Sequence, residues 1–333
     1  MYSRGCTESS VAWSERGLSF MIPCSAPHTH SRVVCILGPT GSGKNDLALD
    51  LCRFYSSQII NFDSRQVYRG LPIVTAQPGP DDMRKCPHHL YGFLNPAERM
   101  SAGRFVKLAS ERISAVSAKG CLPLLVGGTG LYLRALIHGL AFIPQVPEKV
   151  RAQLQSMCAA QGPEALHKKL EAIDPEYAQK ISSKDRQRIT RALEVYQATG
   201  RTLTQWHGRK KLKPGLSVLK LGMDVEWERL VKSLRFRIEQ MLARGAVEEV
   251  RSVWAENAYD RNLPALTGIG CRELLDYLEG RLGLNECIEE WFKSTRNYAK
   301  RQLTWFRKEP EVHWIRPDQT WEAVRQIQVF LSH

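Results

Sequence analysis

Hydrophobic and polar positions change rhythm along this chain. Residues 32–38, RVVCILG, form a β-branched apolar run closed by a glycine-rich turn, which predicts a buried parallel strand. NDLALDLCRFY follows, with Leu47, Leu51 and Phe54 at helical spacing. QIINFD at 58–63 and LPLLVGG at 122–128 repeat the strand pattern, and 101–119 repeats the helical one. Strands alternating with helices predict a doubly wound α/β core. From 144 to 213 the pattern is helical, short-elemented and charged, with no strong strand, so a helical insertion is expected there. LSVLKLGMDV at 216–225 predicts a strand that returns to the core sheet, followed by long amphipathic helices over 227–257 and 285–306. The expected organisation is a core of 32–143 and 214–333, an insertion at 144–213, and a polar, broken extension over 1–31 that predicts disorder.

Composition narrows the class. With 333 residues, 43% of them hydrophobic and 24% charged, the chain is neither intrinsically disordered, collagen-like nor a disulfide-stapled miniprotein. Lys and Arg number 47 against 34 Asp and Glu, a surplus of +13 that fits a polyanionic partner, an anionic membrane or a generally basic surface. No apolar run reaches the ~18–20 residues that span a bilayer, and the short run at 18–22 is too small for a signal-peptide core. Met1 and Met21 are both candidate starts. Nine scattered cysteines without a C-x-x-C pair point to a reducing, cytoplasmic compartment and give no zinc site.

The chemistry begins at GPTGSGKN, 38–45, between the first strand and the first helix. Its residues are Gly38, Pro39, Thr40, Gly41, Ser42, Gly43, Lys44 and Asn45. Glycines turn backbone N–H groups toward phosphate oxygens, the helix N-terminus adds its dipole, and Lys44 supplies a charge. The fold expected from this is a P-loop NTPase-like parallel sheet. After the lysine, Ser or Thr ordinarily offers a hydroxyl to Mg²⁺; here Asn45 offers a carboxamide oxygen instead, a hard donor that Mg²⁺ accepts. Asp63 closes the second strand candidate beside this loop, where it fits a metal ligand, a general base or a turn cap. GGTG at 127–130 offers close backbone approach and the Thr129 hydroxyl, or simply ends a strand.

Two basic stretches hold most of the charge. Lys184 to Lys213 carries nine Lys/Arg against two Asp/Glu, and Trp291 to Glu309 carries six against one. In the first, Gln187 and Arg191 share a helical face, with Arg188 three residues from Arg191. Three arginines within six residues fit either anion contacts or a solvated face. In the second, basic residues alternate with Trp291, Phe292 and Trp305, which suits phosphate neutralisation with base stacking or an amphipathic helix packing its aromatics inward.

In this order the strings GPTGSGK, DSRQVYRG with TAQP, PHHLYGFLNPAERMSAGRF, GGTGLYLRAL, DPEYAQKI to RALEVYQATGRTL, and AKRQLTWFR resemble the tRNA dimethylallyltransferases from about residue 32 to 315. The resemblance implies prenyl transfer from dimethylallyl diphosphate to N6 of the adenosine 3′ of the anticodon, with release of diphosphate and use of Mg²⁺. It makes Asp63 the general base, places Thr129 near the reacting groups and puts Arg237 on the diphosphate. It implies tRNA contacts at Asp63, Ser64, Arg65, Gln66, Thr129 and Arg151, and at Gln187, Arg188, Ile189, Thr190 and Arg191. Further contacts are implied at Thr267, Gly268, Ile269, Gly270, Cys271 and Arg272. The last set is Lys300, Arg301, Gln302, Leu303, Thr304, Trp305, Phe306 and Arg307. The family pattern has Tyr where this chain has Cys271, which removes a stacking ring. The resemblance implies a cytoplasmic monomer with the tRNA anticodon stem-loop as partner and no membrane. The competing readings are a P-loop kinase of small metabolites, against which Asn45 weighs, and an isopentenyltransferase of free AMP, which needs no tRNA-sized basic surface.

Overall fold

The computed structural model describes residues 31–141, 143–209 and 215–332; the expected disordered extension falls, but for Ser31, outside them, as do Lys210, Lys211 and Lys213 of the first basic stretch. The described chain divides into two compact units, one of 31–98, 112–128 and 218–332 and the other of 99–111 and 129–217. The second unit thus takes in 99–111 and 129–143 besides the expected insertion at 144–213.

Six strands build the sheet of the first unit: β1 (Ser31–Leu37), β2 (Ser57–Asn61), β3 (His88–His89), β4 (Leu122–Gly127), β5 (Leu216–Met223) and β6 (Val312–Ile315). Their order is β3-β2-β4-β1-β5-β6. The pairs β1–β4, β2–β4, β2–β3 and β5–β6 are parallel. Val33 to Leu37 are fully buried, as expected of a strand covered on both faces. Helix Lys44–Phe54 lays Leu47, Ala48 and Leu51 into the same core, and helix Thr320–Ser332 adds Ala323 and Ile327. Because β1, β2 and β4 run in parallel, their carboxyl ends share one edge of the sheet, and the loops there carry 38–43, Asp63 and Gly128.

The expected helix over 227–257 is two helices, Trp227–Ala243 and Ala246–Glu256. Gly245 separates them at φ 94, a left-handed conformation that ends one helix and starts the next. The expected 285–306 helix is one element, Leu284–Phe306, packed on Trp227–Ala243 through Leu230, Leu234, Ala299, Phe292 and Leu303.

The second unit contains only helices among its described residues beyond the start of β5, including Gly130–His138, Glu148–Ile173, Arg186–Thr199 and Leu203–His207. Its core gathers Leu154, Leu166, Leu170, Ile189, Leu193, Val195 and Trp206. Glu148–Ile173 breaks at Gly162, φ 79, ahead of Pro163. Among the described residues no helix is long and apolar enough to cross a membrane.

Candidate active site

Two cavities open at the carboxyl edge of the first unit's sheet. One, about 540 Å³, is walled by 41–46, by Gln77 and Asp82, and by Arg229, Ser233, Arg237, Gln240 and Arg244. The arginines lie on one face because Arg229, Ser233, Arg237 and Gln240 follow each other at three or four residues along helix Trp227–Ala243. The other cavity, about 270 Å³, is lined by Thr40, Asp63, Ser64, Arg65, Arg237 and Thr267 and by apolar Val74, Leu234, Ile238, Met241, Ile269 and Trp291. Arg237 and Met241 belong to both walls.

The phosphate loop starts the helix as the sequence predicts, with Gly43 in the left-handed conformation at its N-cap. Lys44 Nζ donates to the Pro39 carbonyl at 3.3 Å. Burial pushes its pKa down to about 8, against the upward pull of Asp63 and together with repulsion from Arg237. Burial also lowers Arg237, opposed by Asp63 and Asp46. A site whose two cations are poorly solvated gains from an anion that replaces lost water. The Ser42 Oγ is buried with no hydrogen-bond partner inside the chain, which leaves a polar atom at the phosphate loop for a ligand to satisfy.

Asp63 is held from three sides. Its N–H donates to Asn61 Oδ1 at 2.7 Å, Asn61 Nδ2 donates to its carbonyl at 3.1 Å, and its Oδ1 accepts the Arg65 N–H at 2.9 Å. Asn61 Nδ2 also donates to Leu90 O at 2.9 Å, so this buried amide anchors the end of β2. Burial first, and the Asp63 charge second, raise the phenols of Tyr91 and Tyr298, which therefore stay protonated around the carboxylate. Arg65 Nη1 donates to Pro264 O at 3.1 Å and to Thr267 Oγ1 at 3.2 Å, tying the 63–66 and 264–268 segments into one wall. Glu249, on helix Ala246–Glu256, accepts the N–H groups of Ile73 and Val74 at 2.7 and 2.8 Å and so holds the strap that lines both cavities.

Helix Leu284–Phe306 separates the two readings of its aromatic-basic stretch by face. Trp291, Thr295 and Tyr298 turn into the smaller cavity, and Gln302 continues that face. Thr295 Oγ1 is buried there without a partner. Asn297, Lys300, Arg301, Thr304, Trp305 and Lys308 form an open outer groove. Gln302, expected to touch tRNA, is 5% exposed and spends both ends of its amide inside: Oε1 accepts the Thr40 N–H at 3.0 Å and Nε2 donates to Gly128 O at 2.9 Å. Phe306 is fully buried and the half-buried Leu303 packs against the cluster of Leu230 and Leu234, so both side chains pack the core. Arg307 is exposed at the helix end.

Segment 267–272 splits likewise: Thr267, Gly268, Ile269 and Cys271 line the smaller cavity, whereas Gly270 caps the next helix and Arg272 is exposed. Burial pushes the Cys271 thiol up to about 12, the nearby Arg65 only partly offsetting it. In the second unit, Thr129 is the N-cap of Gly130–His138. Gln187 and Arg188 are exposed, Ile189 is fully buried in that unit's core, and Thr190 is buried and donates its hydroxyl to Arg186 O at 2.8 Å. The side of this helix turned away from the core carries Gln187, Arg188 and Arg191. Arg151 and Arg191 both approach the Glu194 carboxylate, at 3.9 and 3.5 Å.

Asn45 lines the larger cavity with Ser42, Asp46 and Asp82, a set of hard oxygen donors. Among the described residues no group of three or more His, Cys, Asp or Glu is placed to cage a metal. That donor set fits an ion held largely by phosphate oxygens, as Mg²⁺ is.

Sequence reasoning missed Arg229, Arg244, Asn61, Glu249, Thr295 and Tyr298. The arginine spacing along 229–244 and the 291, 295, 298, 302 spacing were readable as helix faces, but nothing local marks Asn61 or Glu249.

The IPP transferase family model matches residues 66–309. The chain belongs to the IPP transferase family. A tRNA dimethylallyltransferase of Maridesulfovibrio salexigens is 49% identical over 300 residues, covering 90% of this chain and 97% of that protein. The IPP transferase fold is shared with the full-length tRNA isopentenylpyrophosphate transferase of Bacillus halodurans, at TM-score 0.67 and 33% identity over 91% of this chain and 97% of that one. A eukaryotic dimethylallyltransferase solved acting on tRNA matches at TM-score 0.76 and 27% identity, over 91% of this chain and 80% of that one.

Proposed function

We propose that this chain transfers the dimethylallyl group of dimethylallyl diphosphate to N6 of the adenosine 3′ of the anticodon in tRNA, releasing diphosphate. The observation that carries it is the shared wall: Arg237 borders both the phosphate-loop cavity and the cavity that holds Asp63. A diphosphate on the loop therefore has its ester carbon beside the chamber of the acceptor.

In this reading the loop amides, Lys44 and Arg237 hold the diphosphate and balance the charge that grows on it as the C–O bond breaks. The N6 amine forms the new bond to that carbon, and Asp63 accepts the amine proton. The Arg65 N–H fixes the carboxylate for that task, and Asn61 fixes the backbone that carries it. The target base enters the smaller cavity after unstacking from its loop, and the apolar wall there excludes water from the allylic carbon. Mg²⁺, when bound, neutralises phosphate charge; Ser42 and Asn45 are the residues that would hold it. Arg188 and Arg191 of the second unit, with the Lys300, Arg301 and Trp305 groove of the first, supply phosphate and base contacts.

The test is transfer of labelled dimethylallyl from its diphosphate to unmodified tRNA and to AMP, side by side, with ATP-dependent phosphorylation of small acceptors as the third arm. Transfer to tRNA is expected, with Asp63→Ala losing turnover by several orders of magnitude while tRNA still binds. Transfer to AMP alone would overturn the assignment, and phosphorylation would replace it with a kinase.

A further inference from the structure

Cys52 and Cys86 take no part in the chemistry above, yet their sulfurs approach each other closely. Cys52 lies in the last turn of helix Lys44–Phe54, and Cys86 caps helix Pro80–Lys85. Both are free thiols, and their Sγ atoms are 2.7 Å apart. A disulfide needs about 2.05 Å, so about 0.6 Å remains to be closed. Their surroundings differ. Cys86 is 3% exposed and its thiol donates to Ser57 O at 3.3 Å, whereas Cys52 is half-buried.

We propose that Cys52 and Cys86 form a reversible thiol–disulfide site that low-molecular-weight disulfides oxidise. Cys52 is the attacking sulfur. The hydrogen bond between the two sulfurs holds its pKa below the ordinary thiol range, and that bond and burial push Cys86 up. The Cys52 thiolate attacks one sulfur of the reagent RSSR, forming a mixed disulfide and releasing RS⁻. The Cys86 sulfur, giving up its proton, then attacks the Cys52 sulfur, forms the internal bond and expels the second RS⁻. Two protein thiols are oxidised, one RSSR is reduced to two RSH, and thiol excess reverses both steps.

The bond joins two walls of the phosphate-loop cavity. Cys52 shares its helix with Lys44, and Cys86 directly follows the helix that carries Asp82. Oxidation therefore ties these walls covalently.

The full chain, equilibrated in glutathione buffers of rising oxidised fraction, is quenched in acid, blocked with N-ethylmaleimide, digested and mapped by mass spectrometry. A Cys52–Cys86 cross-linked peptide pair should rise from near zero to the majority species and vanish with dithiothreitol. Cys86→Ser should trap glutathione on Cys52, and Cys52→Ser should leave Cys86 a free thiol. The oxidised chain should also melt at a higher temperature, since the bond closes a loop between positions 34 apart and so constrains the unfolded chain. Both thiols blocked by maleimide at every ratio would overturn the site. So would pairing of either with another cysteine, glutathione retained on Cys52 in the unsubstituted chain, or a lower melting temperature on oxidation.

Discussion

Substituting Gly128 by Ala drives a Cβ into Gln302 Nε2, well inside the closest approach real side chains show. Gln302 cannot yield cheaply, because both ends of its amide are committed, to Thr40 N–H at 3.0 Å and to Gly128 O at 2.9 Å. Its displacement leaves one buried and one part-buried backbone group unpaired, at about 1–3 kcal/mol each, so Gly128→Ala should cost roughly 2–6 kcal/mol. Gln302→Ala removes the same two bonds and should cost a similar amount. The double variant loses those bonds once, and the truncated side chain at position 302 leaves room for the new Cβ. Its destabilisation should therefore fall short of the sum of the singles by about the cost of one single, roughly 2–6 kcal/mol. Urea unfolding of all four proteins measures this cycle. Both singles should also raise the KM for dimethylallyl diphosphate, because Thr40 loses its fixed orientation on the phosphate loop. Additivity within about 0.5 kcal/mol, or unchanged donor KM in both singles, would refute the bridging role.

Lys44 carries its charge below its pKa of about 8 and loses it as pH rises through that value, so kcat/KM for the donor should fall above about pH 8 with a one-proton slope; a flat profile to pH 10 would refute a phosphate role for the amine. Glu249→Ala leaves the Ile73 and Val74 N–H groups unpaired, at about 1–3 kcal/mol each, and should raise the tRNA KM about tenfold or more; a lowered melting temperature with unchanged KM would reduce Glu249 to a structural tie. Replacing Arg188 and Arg191 by Gln removes one exposed and one half-buried cation and should shallow the plot of log tRNA affinity against log salt by about 2; an unchanged slope would refute phosphate contact.

Local chemistry marks some of these elements plainly and others not at all. The β1 strand, the phosphate loop and the Lys44–Phe54 helix are contiguous, so composition and period alone reveal them. The β3 strand is two residues long and β6 four, too short for any period to emerge, and their positions follow only from pairing with β2 and β5. The break at Gly245 shows how a single left-handed residue divides a continuous apolar pattern. At the site, Asp63 and Lys44 are legible because strand ends and glycine loops announce exposed chemistry. Gln302 is misread because its neighbours Lys300, Arg301 and Trp305 face outward while it turns in. Its partners lie 262 and 174 positions away, a separation that no local pattern encodes.

Arg237 and Met241 close one chamber and open the next. A side chain that two ligands must both accommodate couples their affinities, and such coupling runs equally in both directions. Whatever factor an occupied phosphate loop lends to insertion of the base, the inserted base returns to the diphosphate. If base and diphosphate fill these two chambers as proposed, each is the other's effector, with one guanidinium as the common lever.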